Sequence, residues 1–197
     1  MKKILSLCLL LLATSPAIAR DPEVLIKTSH GDITVRLFAD AAPITVANFL
    51  AYVDNGHYKG TIFHRVIPKF MIQGGGFNKN MQEAPTLPPI KNEAKNRLHN
   101  ERKTLAMART NDPDSATAQF FINLRNNFSL DWTPANPGYT VFGEVIDGMF
   151  TVDSIALEQT RDYMGHQNVP VEHIMIIDVL RLAEGETAAS KKAIRLE

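Results

Sequence analysis

The chain has 197 residues, 45% of them apolar and 21% charged, with 21 basic and 21 acidic side chains. That size and composition suit one globular domain or two small ones, and only 11 Gly and 11 Pro exclude a collagen-like or low-complexity chain. The balanced charge offers no basic stripe for a phosphate backbone, so nucleic acid is not an expected partner.

Lys2 and Lys3 precede a mostly apolar run over residues 4–13, too short for the ~20 residues that span a bilayer. Ala17-Ile18-Ala19 supplies a small-x-small cleavage site. Residues 1–19 are therefore expected to be a secretory signal peptide cut after Ala19, with an uncleaved anchor as the alternative. Cys8 makes a poor lipidation site because Leu7 stands before it where a small residue is needed. Cleavage removes Cys8, the only cysteine, so the mature domain must hold by its core without disulfides. A remainder of roughly 180 residues is long enough to bury about 70% of its unfolded surface. The short positive and apolar regions have a bacterial character and point to the periplasm.

Residues 24–29 and 32–38 flank His30-Gly31, and Ile33, Val35 and Leu37 alternate with Thr34 and Arg36, which predicts a β-hairpin. Pro43 opens a helix in which Val46, Phe49, Leu50 and Val53 share one face, with Gly56 as its stop. Residues 61–67 and 70–73 read as strands separated by Pro68, the second ending at Gly74-Gly75-Gly76. Residues 77–103 lack periodicity and form a long loop, a length that is usually functional or disordered. Strands follow at 104–109 and 119–124, a loop at 125–138, a strand at 139–146, a short helix at 150–157 and a long last strand at 171–182. Residues 183–197 form a small, charged tail expected to fray. Eight strands and two helices without β–α alternation exclude a doubly wound sheet. They predict a mainly β fold, a closed antiparallel barrel, as one domain over 20–182.

The six histidines (His30, His57, His64, His99, His166 and His173) show no i,i+3 or i,i+4 pair, so no metal is expected. There is no Gly-x-Ser-x-Gly, no cysteine in the mature chain and no phosphate-cradling glycine pattern, so no covalent nucleophile or nucleotide cofactor is expected. A carboxylate pair stays open with 21 acids. One stretch is dense in chemistry: Phe63-His64-Arg65-Val66-Ile67-Pro68-Lys69-Phe70-Met71-Ile72-Gln73-Gly74-Gly75. Strand period puts Phe63 with Arg65 and Met71 with Gln73. The pattern leaves two readings: an amphipathic hairpin with Arg65 in water, or an apolar pocket carrying a few hydrogen-bonding groups.

That stretch resembles the signature of the cyclophilins, the peptidyl-prolyl cis-trans isomerases. Leu105-Ala106-Met107-Ala108-Arg109, Ser115-Ala116-Thr117-Ala118-Gln119-Phe120-Phe121-Ile122-Asn123 and Val141-Phe142-Gly143-Glu144-Val145 extend the resemblance, which spans about residues 23–182 and is strongest to bacterial periplasmic members. The resemblance implies an eight-stranded antiparallel barrel capped by two helices, acting on X–Pro bonds of unfolded or partly folded proteins, as a monomer and without a cofactor. It implies Arg65 as the catalytic arginine and Gln73 as the group positioning it and the substrate. Phe70, Met71, Phe121 and Phe128 match the walls of a proline pocket. Ala108, Arg109 and Gln119 match groove positions, with the backbone at Arg109 pairing with peptide. His64 matches a structural position rather than a proton-transfer group. Phe128 stands where many members have Trp, Tyr139 where eukaryotic members have His, and Arg109 where they have Asn. Loss of the indole N–H implies weak cyclosporin binding. The competing readings are a non-catalytic chaperone or binding module for proline-containing segments, and a structural subunit of an envelope complex. Arg65 beside Gln73 favours the enzyme, because binding alone needs only the apolar pocket.

Overall fold

A computed structural model describes residues 21–183; the expected signal peptide and residues 184–197 of the expected tail lie outside the described residues. Strands β1 (Glu23–Thr28) and β2 (Gly31–Leu37) form the predicted hairpin, pairing Val24 with Val35 and Ile26 with Ile33. Helix α1 (Pro43–Asp54) follows, then β3 (Thr61–Ile67), β4 (Met71–Asn78), β5 (Thr104–Met107), β6 (Phe120–Asn123), β7 (Val141–Asp147), α2 (Met149–Ile155), β8 (Thr160–Tyr163), β9 (His166–Pro170) and β10 (Ile176–Arg181).

Eight strands make one antiparallel sheet in the order β10-β1-β2-β7-β5-β6-β4-β3. Its two end strands meet: Gly60 N–H donates to Ile176 C=O (2.9 Å), Phe63 N–H donates to Ile174 C=O (2.9 Å), and Ile62 bridges Met175. The expected mainly β barrel with two helices is therefore the observed architecture. Closure removes the exposed edges of an open sheet. The barrel interior holds Phe63, Leu105, Phe120, Ile122 and Phe142, all fully buried, and α1 covers one opening with Val46, Phe49, Leu50 and Val53. Phe49 packs edge-on to Phe120 with ring centroids 5.6 Å apart. Among the described residues no helix is long and apolar enough to cross a membrane.

Helix α1 begins at Pro43, as predicted, but no side chain of its own first turn caps it. Glu93 from the long loop does so instead. Its carboxylate accepts from Ile44 N–H (3.1 Å), Thr45 N–H (2.8 Å) and Thr45 Oγ1 (2.7 Å), placing an anion at the positive helix end. The loop thus has a defined course, with Asn96 Nδ2 donating to Val141 C=O (2.9 Å).

Beyond shifts of one or two residues at strand ends, the structure differs from the sequence reading in three places. β4 continues through the glycines to Asn78 because Gly75 takes φ +85° and lies under Tyr58, where a Cβ would stand 2.8 Å from the ring. The last strand starts at Ile176 rather than at 171. Between α2 and β10 lies an unpredicted hairpin, β8–β9, turning through Met164 (φ 50°) and Gly165 (φ 81°). Both positive φ values suit the tight two-residue hairpin turn. The hairpin packs on the outer face of β3 through a small apolar cluster of Ile62, Met81 and Val169, with Phe77, Tyr163 and Met175 at its margin.

Candidate active site

Register places the candidate residues in one row. Arg65 of β3 pairs with Gln73 of β4, Gln73 with Phe121 of β6, and Phe121 with Ala106 of β5. Laterally paired residues point to the same face of a sheet. Because Ile72, Phe120 and Ile122 fill the barrel interior, period 2 turns Met71, Gln73 and Phe121 outward. On this outer face Met71, Ala106, Phe121 and Val141 form a second apolar cluster, joined by the partly buried Phe70, Ala108, Leu130 and Tyr139. A groove of about 520 Å³ runs over it.

Polar groups line one wall. Arg65 Nη1 donates to Gln73 Oε1 (3.4 Å), and Gln73 Nε2 donates to Gln119 Oε1 (3.0 Å). Gln119 lies against Gly76, where a Cβ would stand 2.5 Å from its Cγ and Cδ. The third glycine of the run is therefore the space that Gln119 occupies. Arg65 makes no ion pair among the described residues, so its guanidinium charge is uncompensated within the groove.

The opposite rim is built by Arg109 and Tyr139. The Arg109 guanidinium stacks over the Tyr139 ring at 4.2 Å, while Nε donates to Gly138 C=O (3.0 Å) and Nη1 to Thr110 C=O (2.8 Å). The side chain is thereby tied to the rim. The β5 ladder ends with Ala108 N–H donating to Gln119 C=O (3.0 Å), and beyond it the backbone N–H and C=O of Arg109 bond to no described residue. Phe121 meets Tyr139 edge-on at 5.8 Å. Asn127 Nδ2 donates to Phe70 C=O (2.9 Å) and to Asn123 Oδ1 (2.8 Å), pinning the turn that carries Phe70.

The structure gathers Arg65, Gln73, Phe70, Met71, Ala108, Arg109, Gln119, Phe121 and Tyr139 around this groove. Phe128, expected in the wall, is not among the residues that line the groove. It begins a single 3-10 turn, Phe128–Leu130, is 53% exposed and lies edge-on to His99 at 5.8 Å. Residues two apart in such a turn face different directions, and Leu130 supplies the wall. Sequence reading missed Leu130, although it sits in the same short apolar patch. It also missed Phe77, Gly165, His166 and Gln167, which line the groove only because β8–β9 folds back.

His64 is buried, with its ring edge-on to Phe77 at 4.7 Å and Nδ1 lacking a hydrogen-bond partner. Burial lowers its pKa to about 4, with smaller contributions from His166 and Arg65 in the same direction. It is neutral at pH 7. Among the described residues no group of three or more His, Cys, Asp and Glu is placed to hold a metal ion.

Residues 23–180 match the family described as cyclophilin type peptidyl-prolyl cis-trans isomerase/CLD. A peptidyl-prolyl cis-trans isomerase of Acinetobacter baylyi is 57% identical over 153 residues, covering 78% of this chain and 81% of the relative. Peptidyl-prolyl cis-trans isomerase A of Dickeya dadantii is 51% identical over 168 residues, covering 84% and 88%. A crystal structure of a cyclophilin type isomerase from Cryptosporidium parvum superposes with a TM-score of 0.68 at 29% identity, covering 83% of this chain and 98% of the other. A second structure of that enzyme, in the presence of the dipeptide ala-pro, gives 0.67 at 30% identity, covering 82% and 99%. The chain belongs to the cyclophilin-type peptidyl-prolyl cis-trans isomerase family. It is an enzyme that interconverts the cis and trans forms of X–Pro bonds.

Proposed function

We propose that this isomerase works in the periplasm, as a monomer, on X–Pro bonds of proteins that are still folding, with Arg65 as its catalytic group. The amide barrier is about 18–20 kcal/mol because the C–N bond is partly double. As the bond twists, the prolyl nitrogen lone pair leaves conjugation and becomes a hydrogen-bond acceptor. A fixed cation directed at that site favours the twisted state over both planar ones. Arg65 stays protonated at any working pH, so its action is electrostatic and transfers no proton. Phe70, Met71, Phe121 and Leu130 take the pyrrolidine ring, whose burial is worth about 2 kcal/mol. The free backbone of Arg109 aligns the peptide as an added strand.

The observation that carries this reading is the Arg65–Gln73–Gln119 string beside the apolar wall. Its test is the cis-to-trans rate of an Ala-Pro peptide with residues 20–197, against an uncatalysed time of tens to hundreds of seconds. No acceleration by the folded protein would return the groove to a binding module. The periplasmic assignment rests on the leader-like residues 1–19. It predicts a processed chain beginning at Arg20 in the osmotic-shock fraction, and a full-length chain in the cytosolic fraction would overturn it.

Cyclosporin binding is expected to be weak. The single tryptophan, Trp132, lies under Lys95 (5.3 Å) and not on the groove, so no indole N–H faces a ligand there. Half-inhibition of the peptide assay should need more than nanomolar cyclosporin, and nanomolar potency would refute this.

A further inference from the structure

The groove does not end at the proline pocket. Past Arg65 it continues along His64, Phe77, Gly165, His166 and Gln167. His166 lies edge-on to Phe77 with centroids 5.0 Å apart, and Phe77 in turn meets His64. The tip carrying His166 and Gln167 is held from two sides: by the tight turn at Met164-Gly165 and by the apolar cluster of Ile62, Met81 and Val169 beneath it. Side chains on so fixed a tip offer hydrogen-bond donors at low entropic cost to a ligand.

The charges that line this stretch of the groove are of one sign, while Glu83 lines the cleft that adjoins it across Gln73, Arg109 and Gln119. Arg65 and Arg109 are the groove's charged lining residues, and no Asp or Glu is among them. Neither guanidinium has a carboxylate partner among the described residues. A peptide laid across the proline pocket therefore presents its flanking side chains to two cations, an amide and an imidazole.

We propose that His166 and Gln167, on the β8–β9 tip, are specificity-determining residues that with Arg65 favour substrates carrying an acidic side chain close to the proline. The proposal rests on the isomerase reading of the groove. Partly exposed charge pairs are modest, so a Glu-flanked peptide should be preferred over its Lys-flanked counterpart by about fivefold, less at high salt.

The experiment uses Ala-Pro peptides with Glu, Ala or Lys placed at each of the two positions on either side of Ala-Pro. Both kcat/KM and the dissociation constant, from NMR titration of the peptide, are measured for wild type, His166→Phe and Gln167→Glu. His166→Phe keeps an aromatic ring against Phe77, and Gln167→Glu reverses the local sign while leaving Arg65 in place. The expected result is a Glu/Lys ratio of about five for wild type in at least one position, reduced in His166→Phe and brought to one or below in Gln167→Glu. A ratio near one in wild type, or an unchanged ratio in both variants, overturns the proposal while the isomerase reading stands. A folded wild type without turnover would instead sink the isomerase reading. The binding constants would still decide whether the tip selects acidic peptides.

Discussion

Arg65→Ala should lower kcat/KM by about 10²–10³, by analogy with deletion of one oxyanion-hole donor. That is roughly 3–4 kcal/mol of transition-state stabilisation. The loss should fall on kcat with KM little changed, because the prolyl nitrogen accepts a hydrogen bond only when the amide is twisted. Stability should barely move. Arg65 makes one long hydrogen bond to Gln73 and no ion pair among the described residues, so its removal strips little from the fold. Arg65→Lys should fall between the two, since it keeps the charge but loses the planar fork. The checks are the Ala-Pro assay beside a thermal melt. A folded Arg65→Ala protein with near wild-type turnover would remove Arg65 from the chemistry.

His64 should make the enzyme acid-sensitive in stability. Its pKa is about 4 in the folded protein and near 6.5 in the unfolded chain. Above pH 6.5 the ring is neutral in both states and contributes no slope. As pH falls below 6.5 the unfolded chain takes up a proton that the folded chain refuses, so stability declines. The decline ends near pH 4, where the folded form also protonates, after a total of about 3 kcal/mol. His57, held below its ordinary pKa mainly by burial, acts in the same direction. Urea unfolding at pH 7 and pH 4.5 reads the difference. His64→Phe, which keeps a ring against Phe77 and removes the titrating group, should flatten most of it. An unaltered acid slope in that variant would show that His64 is not the group responsible.

Where local pattern decided the structure, the sequence was readable. Alternation in Ile33, Val35 and Leu37 and the spacing of Val46, Phe49, Leu50 and Val53 report burial directly, and β1, β2 and α1 follow. The β8–β9 hairpin was not readable, because its strands are polar and its turn is Met164-Gly165 rather than Asn-Gly or Asp-Gly. Its register with the groove comes from packing on Ile62, a contact between distant parts of the chain. The candidate site divides in the same way. Gln73, Met71 and Phe121 sit on strands whose period fixes their direction, but Arg65 does not share a face with Phe63 as period 2 predicts: an irregularity in β3 between the two turns Phe63 into the barrel and leaves Arg65 on the groove. Phe128 and Leu130 sit two apart in a single turn, where strand period gives no guide to which of them lines the groove. The use of Gly76 as the seat of Gln119, and of Glu93 as the cap of α1, depends on residues 43 and about 49 positions apart and leaves no local mark. Pattern alone also left Arg65 between two roles. Only its outward row with Gln73 and Phe121 places it on a groove.

The final strand joins both ends of the sheet. β10 lies against β1, the first strand, and residues 174–176 bond to β3. No shorter length of chain contains a closed barrel, so a chain delivered from its N-terminus stays open until residue 176 is available. The delay is written into the strand order: the last strand of the described residues is the one that shuts the fold.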